Sequence, residues 1–193
     1  MTGMIPHPQL VISCHADTGF PSHRLRITEA GTYVGHLDNF IGVHAVMRAF
    51  FSGRLDFPRV RIELTSGEET DMAGAYAVLE TLRPEDVVVV VDVTGTASEH
   101  DLVIEKCASL GMQQLVRTAL AGLSFELYAG CPDPISTSDE CDVYRQATEN
   151  VFFLGIPVRG GDYNEVMVEA RPSSVATAAE AIVRLAETLF RAT

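Results

Sequence analysis

Four short segments of the 193-residue chain combine histidine and carboxylate side chains in a pattern that could hold a metal ion. Their chemistry-bearing residues are, in chain order, His15, Asp17, Asp38, Glu68, Glu69 and Asp92. Clustered carboxylates repel one another unless a cation compensates, because buried like charges raise each other's pKa and favour the neutral form. The residue types therefore predict a divalent metal site.

The donor set also indicates which metal and which chemistry. An imidazole with carboxylates and without cysteine suits zinc, and less selectively manganese or cobalt. A catalytic site would leave a position open for a water molecule, whose pKa falls toward ~7 on zinc, and would need a carboxylate beside it as general base. The adjacent Glu68 and Glu69 could supply one ligand and one base. Taken singly, Asp38 is explained as a helix N-cap and the glutamate pair as a solvated turn.

The elements that must position these residues are strands and helices in alternation. Apolar runs rich in β-branched residues alternate with helix-periodic segments, which is typical of strands covered by helices on both faces and predicts an α/β class. Strands are predicted at residues 10–14, 60–65, 87–93, 102–106, 125–128, 151–154 and 166–170. Helices are predicted at residues 39–51, 72–82, 112–121, 140–147 and 174–191. We expect Asp38 to cap the first helix, Ser173 or Ser174 to cap the last, and residues 18–37 to form a loop.

The candidate residues fall where the predicted strands or helices meet their loops. His15 and Asp17 follow the first strand, the glutamate pair follows the second, and Asp92 lies near the end of the third. In an open α/β sheet, ligands bind beyond the carboxyl ends of the strands. We therefore expect the four segments to converge on one site.

Composition bounds the remaining possibilities. The chain is 47% hydrophobic and no linker or repeat interrupts it, so residues 1–193 are expected to form a single domain. A formal charge of −12 argues against a nucleic-acid partner, because binding a phosphate backbone needs Lys and Arg. Lys106 is the single lysine, which argues against pyridoxal-phosphate chemistry through a lysine Schiff base.

The sequence also predicts a cytoplasmic protein. Residues 1–10 show no leader pattern, and the longest apolar run, 87–91, is far shorter than the ~20 residues of a membrane span. The four cysteines show no CxxC spacing, so free thiols in a reducing compartment are expected. Cys131 is interpreted as a structural thiol, because no histidine follows it to act as its base.

Several motifs, in this order, resemble those of the zinc-dependent exopeptidases, which include aminopeptidases, metallocarboxypeptidases of the deacylase type and N-acyl amino acid deacylases. The matching runs are His15-Ala16-Asp17, Gly35-His36-Leu37-Asp38-Asn39 with Gly42, Gly67-Glu68-Glu69 with Gly74-Ala75, Val91-Asp92-Val93-Thr94-Gly95, Ser138-Asp139-Glu140 and Gly155-Ile156-Pro157. The resemblance spans about residues 10–170.

The resemblance implies a three-layer α/β/α sandwich with a mixed, mostly parallel central sheet, and a pair of zinc ions bridged by an aspartate and a water molecule. Carried over by position, His15 and Asp92 would hold one zinc, Asp38 would bridge, and Glu69 would hold the other. Glu68 would be the general base, and Asp17 would accept the other ring N–H of the histidine. The bond attacked would be the amide of a small peptide or an N-acyl amino acid, with metal stabilising the oxyanion.

The sequence departs from the family pattern at two places. The family's last ligand is a histidine four residues before a glutamate, and counting back from Glu165 reaches Gly161, with no histidine anywhere after His100. Asp162 or His36 could replace it. The chain also has no room for the lid or dimerisation domain of many members. Four interpretations remain open. The protein could bind one ion, bind another metal, or form a homo-oligomer in which a partner chain donates the missing histidine. It could also be a catalytically impaired relative that acts as a binding or assembly protein.

Overall fold

The computed structural model describes residues 8–136 and 138–191. Residues 1–7, most of the segment in which no leader was expected, lie outside this part. The strands are β1 (Leu10–His15), β2 (Leu25–Ile27), β3 (Tyr33–Gly35), β4 (Val60–Thr65), β5 (Val87–Thr94), β6 (Leu102–Glu105), β7 (Phe125–Leu127), β8 (Val151–Arg159) and β9 (Val168–Ala170). The helices are α1 (Phe40–Phe51), α2 (Ala73–Leu79), α3 (Leu110–Ala119), α4 (Glu140–Tyr144) and α5 (Pro172–Phe190).

The strands form one mixed sheet with a parallel centre. Its strand order is β2-β3-β9-β8-β5-β1-β4. Strand β6 also pairs with β8, and β7 pairs with β6. Strands β4, β1, β5 and β8 are parallel, whereas β9, β3 and β2 continue the sheet in antiparallel pairs. The expected α/β fold with a mixed, mostly parallel central sheet is confirmed.

Strand β5 shows why helices cover both faces of the sheet. Its side chains alternate between two buried clusters, with Val89 and Val91 on one face and Val88 and Val90 on the other. Successive side chains of a strand point to opposite faces, so an unbroken valine run needs an apolar layer on each side. Helices α1, α3 and α5 supply one layer, and α2 and α4 supply the other.

Three local expectations are wrong. Asn39, not Asp38, caps α1, because the Asn39 side chain accepts a hydrogen bond from Gly42 N at 3.0 Å. Arg171 occupies the N-cap of α5 without a side-chain cap, since Pro172 begins that helix. The segment between Asp17 and Asp38 contains the hairpin of β2 and β3, whose three-residue strands are too short to show a periodic pattern.

No helix in the described part of the chain combines the length and apolar character needed to cross a bilayer.

Candidate metal centre

Strand register brings two of the candidate residues together. Strands β1 and β5 run parallel with Ser13 beside Val90, so His15 and Asp92, two residues further along each strand, end on the same face. Asp38 reaches this point from the β3–α1 connection and precedes a cis peptide bond to Asn39. The Asn39 amide donates to Val91 O at 2.8 Å, which ties the start of α1 to β5. Secondary structure therefore fixes the backbone beside these three side chains.

His15 lies at the centre of the group and is 1% exposed. Its Nε2 is 3.1 Å from Asp38 Oδ1 and 3.2 Å from Asp92 Oδ2. Neither ring nitrogen of His15 makes a hydrogen bond in the structure, and Asp38 Oδ1 and Asp17 Oδ1 are also without a partner. Buried polar atoms are normally satisfied, because each unsatisfied one costs about 1–3 kcal/mol. Four such atoms around one histidine indicate a group that binds here.

The donor set fits a divalent cation. His15, Asp38 and Glu69 each offer a ligand atom, and these atoms all lie within 4.8 Å of one another. Imidazole nitrogen and carboxylate oxygen bind zinc at about 2.0–2.2 Å, so two ligand atoms on one ion are at most about 4.4 Å apart, and small shifts of these side chains would let one ion contact all three. Such an ion would satisfy two of the orphaned atoms, His15 Nε2 and Asp38 Oδ1, and would leave His15 Nδ1 to Asp17.

Glu68 and Glu69 follow β4 in a loop that α2 contacts closely. Gly74, in the first turn of α2, donates to Ser66 O at 2.8 Å, and a Cβ atom there would lie 2.6 Å from the backbone of Ser66. Only glycine allows this approach. The contact holds the loop so that both glutamates line the same cavity as Asp38 and Asp92.

The electrostatics of the cluster show excess negative charge. Burial, with the charge of Asp92, raises the pKa of Glu68 from its ordinary 4.5 to about 8. Burial also raises the pKa of Glu69 and that of Asp92. Burial opposes protonation of His15, but the charges of Asp92 and Asp38 outweigh it and raise its pKa to about 12. A divalent cation bound among these side chains would favour the ionised carboxylates and the neutral imidazole.

Asp17 faces the other side of the imidazole. Its Oδ1 lies 3.6 Å from His15 Nδ1, and the Asp17 side chain is 27% exposed. This separation is longer than a hydrogen bond. Asp17 is thus placed beside the nitrogen that the sequence assigned to it, while its role there remains a prediction.

The loop after β8 brings no ligand to the cluster. Gly161 has a φ of +136°, and a Cβ atom on it would lie 2.8 Å from the Val166 side chain. Asp162 uses its Oδ1 to accept a hydrogen bond from Asn164 N at 2.9 Å. His36 stacks on Phe20 at 3.9 Å between ring centroids, and its Nδ1 lies 2.8 Å from Ser22 O. None of the three is among the described residues whose ligand atoms cluster.

A cavity of about 360 Å³ opens over the cluster. Its lining residues are Asp38, Glu68, Glu69, Thr70, Met72, Asp92, Val93, Ile135, Ser136, Ser138, Asp139, Phe153, Tyr163 and Asn164. The sequence analysis predicts no role for Tyr163 or Ile135, because the motif around Tyr163 directs attention to position 161 and no motif or periodicity surrounds Ile135. The Pro132-Asp133-Pro134 run marks a turn but gives no sign that this turn lies beside β5.

The Lys106 amine and the Cys131 thiol, two other reactive groups, are held by contacts with acidic side chains. Lys106 Nζ lies 3.0 Å from Asp139 and 2.7 Å from Asp142, which raises its pKa despite burial and keeps it protonated. Burial and a hydrogen bond to Glu105 raise the pKa of Cys131 to about 11. A protonated amine and a protonated thiol are both poor nucleophiles.

No protein-family model matches the chain, and no curated protein matches it either. Solved structures do resemble it. PhTET1-12s, a dodecamer, matches with a TM-score of 0.69 at 15% identity over 86% of this chain and 53% of its own. A TET aminopeptidase from the marine sediment archaeon Thaumarchaeota archaeon SCGC AB-539-E09 matches with a TM-score of 0.68 at 15% identity, over 89% and 55% respectively.

An M18-family aminopeptidase from Thermotoga maritima is a third similar structure, with a TM-score of 0.63 at 12% identity over 84% of this chain and 48% of its own. The chain spans about half the length of these three proteins. The similarity covers between 84% and 89% of this chain. The chain has the fold found in TET and M18 aminopeptidases.

Proposed function

We propose that the protein is a metal-dependent hydrolase of the zinc exopeptidase type, which cleaves the amide bond of a small peptide or an N-acyl amino acid. The observation that carries this proposal is the buried His15, whose two ring nitrogens have no hydrogen-bond partner although two carboxylates approach one of them. The fold shared with aminopeptidases supports the same class of reaction.

The proposed ligands are His15, Asp38, Glu69 and Asp92, around one divalent ion. Zinc suits this donor set best, and manganese or cobalt would also fit it. A second ion would have only Asp38 and Glu69, because position 161 is glycine. When bound, the ion would polarise the scissile carbonyl and lower the pKa of a water molecule.

Glu68 is the proposed general base. It lines the cavity beside the ligands without belonging to the described group of clustered ligand atoms. Burial first, and then the charge of Asp92, raise the pKa of Glu68; the attraction of a cation among the ligands would oppose both, so that the Glu68 carboxylate could take a proton from the attacking water. The Asp17 carboxylate would fix the orientation of the His15 ring, as carboxylates behind metal-binding histidines do.

The rest of the substrate site would come from outside this cavity. This chain covers 53% of PhTET1-12s, a dodecamer, and 55% of the TET aminopeptidase, so both are longer than this chain. A homo-oligomer in which neighbouring subunits complete the substrate pocket is consistent with both facts. Such an assembly could also supply the ligand that Gly161 lacks.

A second candidate function is favoured by Gly161. A relative that has lost one ligand could retain an ion and serve as a binding or assembly protein without hydrolysing anything. The two candidates differ in the importance of Glu68. The base is essential for hydrolysis, whereas retention of an ion needs only the ligands.

Release of amino acid from leucyl peptides and from N-acetyl-leucine, with zinc, manganese or cobalt added, tests the proposal. Glu68→Gln should keep the ion and lower the rate at least about 100-fold, since general bases contribute 10²–10⁴. Glu149→Gln, an exposed glutamate, is the matched control and should leave the rate unchanged. An ion that binds without any hydrolysis by the unaltered protein would instead support the second candidate.

A further inference from the structure

The wall of the cavity formed by the β8–β9 connection contains one buried tyrosine. Tyr163 is 7% exposed and lines the same cavity as Asp38, Glu68 and Asp92. Its hydroxyl donates to Asp133 Oδ2 at 3.0 Å. The loop that brings no metal ligand thus brings a phenol instead.

Asp133 determines which way the phenol proton points. The Asp133 side chain is buried and accepts hydrogen bonds from Gly95 N at 2.7 Å and from Ile135 N at 2.8 Å. An ionised carboxylate only accepts hydrogen bonds, so the Tyr163 proton must lie between the two oxygens. The nearby Thr94 hydroxyl is closer to Glu105 Oε1, at 2.6 Å, than to Asp133 Oδ2, at 3.3 Å.

Because the Tyr163 hydroxyl donates its hydrogen bond to Asp133, its oxygen still has lone pairs that can accept a hydrogen bond from another group. The proposed function already employs Asp38, Glu68, Glu69 and Asp92. A fifth carboxylate of the lining, Asp139, is paired with Lys106 at 3.0 Å. Among the described contacts, the Tyr163 oxygen accepts no hydrogen bond, so this residue brings a free acceptor to a cavity whose charged lining residues are all acidic.

An acidic cavity with a free acceptor favours a cationic hydrogen-bond donor. A protonated amine is attracted by the surrounding carboxylates and donates a hydrogen bond that is stronger than one from a neutral amide. An N-acylated substrate offers only the weaker, neutral N–H. The charge and the acceptor thus favour the same end of a peptide.

We propose that Tyr163, oriented by Asp133, accepts a hydrogen bond from the free amino group of the substrate and is the residue that selects it. This inference rests on the proposed function, because the amino group is placed relative to an ion held by His15 and Asp38. Tyr163 acts as a specificity residue, and neither proton transfer nor metal binding is assigned to it.

Calorimetric titration of the zinc-loaded protein with two hydroxamates tests the inference. L-Leucine hydroxamate carries the amino group, and 4-methylpentanoyl hydroxamate is the same molecule without it. Both have the hydroxamate group that binds zinc. The unaltered protein should bind the amino form about 10-fold to 100-fold more tightly, the range for one hydrogen bond to a charged group.

Tyr163→Phe should reduce that ratio toward one and leave the affinity for 4-methylpentanoyl hydroxamate unchanged. Tyr128→Phe is the matched control, because Tyr128 is exposed and its hydroxyl bonds only Glu126 among the described contacts. If the phenylalanine variant does not fold, a comparison of leucine hydroxamate with N-acetyl-leucine hydroxamate on the unaltered protein is the second measurement, and the acetylated compound should bind more weakly.

Three results would overturn the inference. The ratio could persist in Tyr163→Phe, both affinities could fall together, or N-acetyl-leucine hydroxamate could bind the unaltered protein as tightly as the free amine. If neither hydroxamate binds the zinc-loaded protein, the proposed function fails as well. Binding of both compounds with no dependence on Tyr163 would contradict this inference alone.

Discussion

The two walls of the cavity are built differently. On one wall, Asp92 lies near the end of β5 and Asp38 is tied to that strand through the α1 cap, with His15 buried against both carboxylates. On the other wall, the connection between β8 and β9 turns through two glycines with positive φ and presents Tyr163. The strand-end wall has the donors of a metal site, and the loop wall has a polar group without a metal ligand.

The difference shows that the metal-binding side chains depend on the sheet, whereas the residues of the loop wall do not. In β5 a slip of one residue would move the Asp92 carboxylate to the face of Val91 and Val93, which pack in an apolar cluster, so the buried sheet fixes the register of this strand. The side chains at its carboxyl edge are then fixed too. A loop is free of this constraint and can lose a ligand or gain a new group without disturbing the sheet.

The largest effect is expected on the strand-end wall. His15→Ala removes the central donor and should weaken zinc binding by at least about 100-fold, the upper range for residues that only support a ligand. His36→Ala should leave the affinity unchanged, because His36 is held by Phe20 and Ser22. Calorimetric titration with zinc measures both variants. Equal loss in the two would mean that His36 also binds the ion.

A smaller effect is expected for Asp17, which lies beside the ligand His15 and would not contact the ion. Asp17→Asn keeps the size of the side chain and removes its charge, so zinc affinity should fall about 10-fold to 100-fold. The same titration measures it, with Asp162→Asn as the control. A larger loss in the control would place Asp162, and not the strand-end wall, at the metal.

Restoring a histidine to the loop wall should fail. Gly161→His places a side chain at a φ of +136° and within 2.8 Å of Val166. Strained backbone of this kind costs about 1–3 kcal/mol, so chemical denaturation should show a stability loss of that size. The number of zinc ions bound should not change. A second bound ion would show that the two walls differ only by the missing side chain.

The pH dependence separates the metal-free from the loaded protein. Glu68 has a pKa near 4.5 when unfolded and about 8 in the folded protein, because of burial and Asp92. The folded state therefore holds the extra proton, and its contribution to stability is complete below pH 4.5 and is lost as the pH rises through 8. The metal-free protein should lose stability from pH 5 to 8.

Zinc should reverse this trend, because its ligands must be deprotonated and binding releases protons. The rise in melting temperature that zinc produces should accordingly be larger at pH 8 than at pH 6, by a few degrees. Thermal unfolding with and without zinc measures it, and Glu68→Gln should make the metal-free curve less steep, because Glu69, Asp92 and His15 still titrate. A zinc effect independent of pH would mean that the ion binds away from the carboxylates.

The strand-end wall could be predicted from the sequence for the same reason that it is rigid. The valine run of β5 and the apolar residues of β1 identify two buried strands, and His15 and Asp92 follow from where those strands end. The N-cap was misplaced by one residue, since Asp38 and Asn39 are both good capping residues and only the three-dimensional contacts assign Asn39 to Gly42 and Val91.

For the loop wall, the sequence predicts only that a metal ligand is absent. The sequence shows that Gly161 offers no ligand, but nothing local indicates that Tyr163 meets Asp133, which lies 30 residues earlier in a proline-flanked turn. Strands β2 and β3 were missed in the same way. Their pairing with each other and with β9 is a property of the assembled sheet, not of three-residue segments.

The central claim is tested most directly by titration of the dialysed protein with zinc. The titration is repeated with cobalt, because the visible absorption of a protein-bound cobalt ion can be recorded. The strand-end wall should hold one ion per chain, and Asp38→Asn should abolish the binding while the protein remains folded. Absence of a bound ion, or binding that persists unchanged in Asp38→Asn, would contradict the claim that these side chains form a metal centre.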